Sequence, residues 1–215
     1  MLSRRLLPAL LLVGLVGGCA ASSPLPRGSE LLSSATTTFA AVRSLHFSVR
    51  VNGVLRALPL SKLDGEASVE NGGHATGTAE LANSSGKRDF SFTVDGDAAS
   101  TKDAKGQTQH GPTTFTVHRF VDPDGGFVAL LSALRNPTTE IRETVQGVDG
   151  YRVGGTLPQA VAARLVPQIH TDVNVKVWVT VAQPHRFARL WLQVPPETIQ
   201  DSPVMFEVLL TQQVP

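Results

Sequence analysis

Cys19 is the only cysteine in the chain, so thiol chemistry has one possible centre and no disulfide can form within it. The residues before it decide what that thiol does. Arg4 and Arg5 lead into an apolar run over residues 6–16, broken only by Pro8 and Gly14, and then come Gly17 and Gly18. That order is a charged start, a short apolar middle and small residues at the cut, as in a bacterial export signal. Val16-Gly17-Gly18-Cys19 resembles a lipobox, in which a lipid is attached to the cysteine and the chain is cut just before it. The apolar run is too short to span a bilayer, which takes about 20 residues. The chemistry expected at Cys19 is therefore acylation.

The remaining chemistry-bearing residues do not assemble into a catalytic or metal motif. His46, His74, His110, His118, His170 and His185 are scattered, and none forms the two-on-one-face pair of a zinc enzyme. Each reads as a surface residue. Asp122-x-Asp124-Gly125 lacks the later acids and closing glutamate of a calcium loop and reads as a helix cap. Asp95-Gly96-Asp97 is a turn. Gly72-Gly73 and Gly154-Gly155 adjoin strands without the following helix that a phosphate loop needs. There is no Gly-x-Ser-x-Gly nucleophile elbow. No enzyme activity, metal or cofactor is expected.

Charge narrows the partners. The 215-residue chain carries a formal charge of +1, and removing residues 1–18 takes two arginines and no acid, leaving 17 basic against 18 acidic side chains, or −1. Such a balance gives no reason to bind nucleic acid or to hold an anionic bilayer over a broad face. Attachment to a membrane is expected through the acyl chains at Cys19, at roughly 0.8 kcal/mol per buried methylene.

The elements that would position a site follow from periodicity. The expected organisation is a signal over residues 1–18, an acylated tether over 19–28 and one domain over 29–215. Ser29 is placed to cap a helix to about Val42, with Leu31, Leu32, Ala35, Phe39 and Val42 on one face. The period then becomes two: Leu45, Phe47, Val49 and Val51 alternate with polar residues, which predicts a strand. Further strands are expected over residues 75–81, 88–94, 113–117, 140–148 and 151–157, with Asp149-Gly150 as a tight turn between the last two. A helix is expected from Asp122 or Asp124 to Leu134, and a short one over 158–165. Val173, Val175, Val177, Val179 and Val181 alternate without exception, followed by strands over 186–194 and 205–212. The order implies an α+β domain, a mostly antiparallel sheet with helices gathered on one face.

Several stretches, in this order, resemble the LppX/LprAFG family of mycobacterial lipoproteins. They are the lipobox, the 45–51 strand, Ala75-Thr76-Gly77, Asp122-Pro123-Asp124-Gly125-Gly126 ahead of Leu130-Leu131, residues 148–155, Val175-Lys176-Val177-Trp178-Val179, and residues 183–189 before Leu190. The resemblance implies a single domain built as a strongly curved antiparallel half-barrel, with a few helices on its concave face and an apolar cavity between. It implies a carrier for the acyl chains of lipids or glycolipids, such as phthiocerol diesters, triacylated glycolipids or triacylglycerol. An envelope lipid exporter is then a candidate partner, and the outer face of the cell membrane the expected location.

Candidates to line the cavity come from every predicted element. Val49 and Val51 come from the first strand, and Phe90, Phe92, Val94, Phe115 and Val117 from the middle strands. Phe127, Leu130, Leu131 and Leu134 lie on the helix. Val173, Val175, Val177, Leu190, Leu192, Phe206 and Val208 come from the last three strands. The alternative is an ordinary filled core in an envelope adaptor that acts by binding a protein. Val175→Trp is expected to separate the two by blocking ligand without unfolding. Trp178 and Trp191 fall on the opposite face. Pairing Val181 with Arg186 would set Trp178 against Arg189 and Lys176 against Trp191.

Overall fold

The structure is a computed structural model that describes residues 24–55, 58–83, 86–122, 126–196 and 200–215. The expected signal, Cys19, and residues 123–125 of the expected helix start lie outside them. Among the described residues, eleven strands form one open antiparallel sheet. The first six are β1 (Ser44–Asn52), β2 (Leu60–Ser68), β3 (His74–Asn83), β4 (Gly86–Asp95), β5 (Ala98–Asp103) and β6 (Thr108–Pro112). The other five are β7 (Arg135–Val145), β8 (Val148–Leu157), β9 (Val173–Thr180), β10 (Phe187–Val194) and β11 (Val204–Val214).

Two meanders are joined in the middle. In spatial order the strands run β6-β5-β4-β3-β2-β1-β11-β10-β9-β8-β7, so only the β1–β11 contact pairs strands distant in sequence. Strands β6 and β7 are consecutive in the chain yet lie at opposite edges. The segment between them connects the two edges and carries the short helices α2 (Val117–Val121) and α3 (Gly126–Ala133). With α1 (Gly28–Ala40), which packs on β7, β9 and β10, and α4 (Gln159–Leu165), these form the helical layer. The free edges are guarded: β6 ends in Pro112, and β7 carries two register shifts.

A triangle of rings fixes α1 and α3 to the sheet. Phe39 and Phe187 lie 5.9 Å apart, Phe127 and Phe187 5.5 Å, and Phe39 and Phe127 6.0 Å, all edge to face. Around it, Leu31, Ala35, Leu130, Leu131, Val153, Leu157, Val177 and Leu190 are buried.

Several expectations are corrected. The α1 cap is Arg27 and not Ser29, with no side-chain cap bond, so Gly28 belongs to the helix and not to the tether. Pro26 is already docked, its carbonyl accepting from Thr139 Oγ1 at 2.7 Å. Residues 113–117 do not form a strand: Thr116 caps α2, its hydroxyl accepting from the Arg119 amide at 3.3 Å. Asp122 is the C-terminal cap of α2, and the expected start of the next helix falls partly on residues 123–125, outside the described residues. The β7–β8 turn is Gln146-Gly147, with φ of 50° and 79°, the two positive values that a tight primed turn requires. Asp149 sits inside β8, where its carboxylate accepts from Thr144 and Arg142.

Candidate binding face

Register brings the sequence candidates onto one face. Val49 stands opposite Val208 and Val51 opposite Phe206; Leu190 stands between Val177 and Val208, and Leu192 between Val175 and Phe206. This inner face is the one the helices cover. Most of it is close-packed. Val173, Val175, Val177, Leu190, Leu192, Phe206, Val208, Val51 and Val94 are buried with Phe127, Leu130, Leu131, Leu134 and Val117 in one continuous cluster.

The helices do not reach across the rest. A 13-residue helix such as α1 is about 20 Å long, while ten strand spacings extend about 48 Å. On β1, β2 and β4 the inward residues Phe47, Val49, Leu63, Phe90 and Phe92 are therefore only half-buried. Phe47, Val49 and Phe92 pack directly against the core cluster, so the exposed strip continues it. Phe115, from the loop before α2, is 44% exposed and stacks on Phe120 with ring centres 6.5 Å apart.

The floor of this strip is backbone. Gly65 and Gly77 pair across β2 and β3, flanked by Ala67, Ala75 and Ala79 on the same face. A Cβ on Gly77 would fall 2.1 Å from the Asp64 carbonyl oxygen and 2.9 Å from Cζ of Phe92. Glycine is required where the two strands approach so closely and the tip of the Phe92 ring reaches the backbone. Phe47, Leu63 and Phe120 are functional candidates that sequence reasoning left out. Phe47 was legible from the alternation of β1. Leu63 was not, because β2 itself went unrecognised.

The outer face is of opposite character. Glu140 accepts from Lys176 and from Arg152, and Glu143 accepts from Arg152 Nη1 at 3.0 Å and from Trp178 Nε1 at 2.9 Å. The Lys176 ammonium, above all, holds the Glu140 carboxyl below its ordinary range; burial works against this and Arg152 assists it. Arg189 adds an ion pair to Glu207. A cavity of about 310 Å³ lies at one end of this face, lined by Val145, Val148, Trp178, Ala188 and Leu209 among others. A more open cleft of about 600 Å³ with Lys62, Glu80, Asp89 and Lys102 lies beside β2–β5. No group of three or more metal-binding side chains comes together among the described residues.

Comparison with known proteins gives one consistent result. The sequence profile of the LppX_LprAFG lipoprotein family matches residues 27–208. The lipoarabinomannan carrier protein LprG of Mycolicibacterium smegmatis is 29% identical over 178 residues, covering 77% of this chain and 75% of that protein. LprG of Mycobacterium tuberculosis is 27% identical over 187 residues, covering 82% and 79%. Among solved structures, LprF of Mycobacterium bovis superposes with a TM-score of 0.73 at 21% identity, covering 89% of this chain and 95% of that one. LppX of Mycobacterium tuberculosis gives 0.66 at 18% identity, covering 86% and 93%. The two structures share the fold.

Proposed function

Because the chain belongs to the LppX/LprAFG lipoprotein family, we propose that it is a membrane-anchored carrier that holds the acyl chains of a lipid or glycolipid against the inner face of its sheet. The observation that carries this reading is the half-buried strip of Phe47, Val49, Leu63, Phe90 and Phe92, continuous with the core and left uncovered by the helices. Apolar surface left in water costs about 25 cal/mol per Å², and an acyl chain laid on the strip removes that cost on both sides. The carrier-protein names of the LprG relatives support the same reading.

Transfer needs no covalent chemistry. Each methylene is worth roughly 0.8 kcal/mol whether it leaves water for a bilayer or for a protein groove. A chain passing from one to the other therefore changes free energy little, and relative affinity sets the direction. Acylation at Cys19 would hold the domain at the outer face of the cell membrane, and delivery towards the outer envelope would follow through an exporter or another acceptor.

Lipid transfer between two vesicle populations tests the proposal, with a fluorescent diacyl lipid in the donors and residues 20–215 as the mobile carrier. Catalytic amounts of protein should accelerate transfer in proportion to their concentration. Transfer at the spontaneous rate would favour the second reading, an adaptor whose core is filled by its own side chains.

A further inference from the structure

If the inner face holds a lipid, β4 gives that lipid a direction. Alternation along β4 sets Val94, Phe92, Phe90 and Arg88 on the inner side, opposite Ala75, Gly77, Ala79 and Leu81 of β3. Exposure rises along the same line. Val94 is buried, Phe92 and Phe90 are half-buried, and Arg88 is exposed.

The two ends of the line differ. At the Val94 end, α2 closes the strip. Val117 is buried there, its Cβ 3.1 Å from where a Cβ on Gly73 would sit, just before β3. Arg119 ties α2 down by donating from Nε to the Arg164 carbonyl at 2.7 Å. At the other end the strip runs out near the start of β4, where Arg88 is exposed.

The guanidinium there has no paired acid among the described residues. Lys87, next in sequence, points to the outer side and pairs with Glu80 at 2.8 Å, whereas the Arg88 side chain makes no ion pair or hydrogen bond among the described residues. On the neighbouring strand, Asp103 stands opposite Phe90. Its Oδ1 already accepts from the backbone amides of Lys105 and Gln107, at 2.9 and 2.8 Å. An unpaired guanidinium at the open end of an apolar strip has the chemistry of a headgroup site: its planar fork binds two oxygens of a phosphodiester at once, which an ammonium cannot do.

We propose that Arg88 determines specificity by binding the anionic phosphodiester headgroup of a lipid whose acyl chains lie along Phe90 and Phe92 with their ends towards α2. The carrier then selects anionic phospholipids over neutral lipids of the same chain length. This rests on the carrier reading and goes beyond it in naming headgroup charge and orientation.

Native mass spectrometry of residues 20–215, which contain the whole described domain, tests it with an equimolar mixture of phosphatidylglycerol and diacylglycerol bearing identical chains. The phospholipid complex should dominate about tenfold. Arg88→Gln should bring the two complexes to near parity with diacylglycerol capture unchanged, and Arg88→Lys should retain part of the preference. Capture of both lipids without preference, or a preference that survives Arg88→Gln, overturns this inference and leaves the carrier reading standing. Capture of neither lipid by any form overturns both.

Discussion

Trp178 and Trp191 meet edge to face across the β9–β10 pair, ring centres 5.1 Å apart, and both rings face the Arg189 guanidinium. The guanidinium carbon lies 4.9 Å from the centre of Trp178 and 4.5 Å from that of Trp191. Arg189 also pairs with Glu207 of the next strand, so this one side chain links β9, β10 and β11 on the outer face. Trp178 is only 2% exposed, because the arginine and Glu143 cover it on the outer face.

Replacing Arg189 by alanine should therefore destabilise the domain by about 2 kcal/mol, from two cation–π contacts in a largely desolvated setting and a stranded Glu207. Arg189→Leu should recover some packing but not the ion pair. Urea unfolding of the three proteins measures both effects.

The indoles also report on which face a lipid occupies. A lipid carrying a nitroxide near the end of its acyl chain should leave the fluorescence of Trp178 and Trp191 nearly unchanged on binding, because the sheet separates them from the inner face. Strong quenching of both would place the ligand on the outer side.

Val175 and Val49 lie on the same face but differ in burial. Val175 is 1% exposed inside the packed cluster, while Val49 is half-buried at the margin of the strip. Val175→Trp should cost about 3 kcal/mol or more, through overpacking, and not act as a clean block. Val49→Trp should keep the melting temperature within a few degrees and lower lipid capture per folded molecule. Thermal unfolding and lipid uptake, measured on both variants, separate core from lining.

Glu140 makes a pH prediction. Its carboxyl titrates below the ordinary glutamate value of 4.5 in the folded protein, chiefly because Lys176 donates to it. The unfolded chain thus binds the proton more readily, so the contribution is complete above the unfolded value and is lost as pH falls through the folded one. Glu140→Gln should lower the melting temperature near neutral pH, and the gap to the parent protein should close as the pH falls through the acid range below 4.5. A constant gap across that window would mean that packing, not charge, accounts for the effect.

The sequence was most legible where one face of a strand is fully buried. The unbroken valine alternation of β9 placed both faces correctly, and the Trp178–Arg189 pair was reached by counting. The route differs, however. Thr180 and not Val181 bonds Arg186, Phe187 pairs with Val179, and an irregularity at Ala188 restores the register. Strand β2 was hidden because an irregularity between Leu60 and Lys62 breaks its alternation and Gly65 sits at its centre. Strands β5 and β6 carry polar residues on both faces and bury almost nothing, so no period marks them. Lining candidates were legible as a face but not as filled or open. That distinction depends on how far four short helices reach across eleven strands, which no local pattern encodes.

A carrier must hold its lipid on the inner face of the sheet. Native mass spectrometry of residues 20–215, purified from a mycobacterial host under gentle conditions, tests it most directly. Co-purified species with two or more acyl chains, released on mild heating and diminished by Val49→Trp, are the expected result. A bare polypeptide mass that takes up no offered diacyl lipid would contradict it.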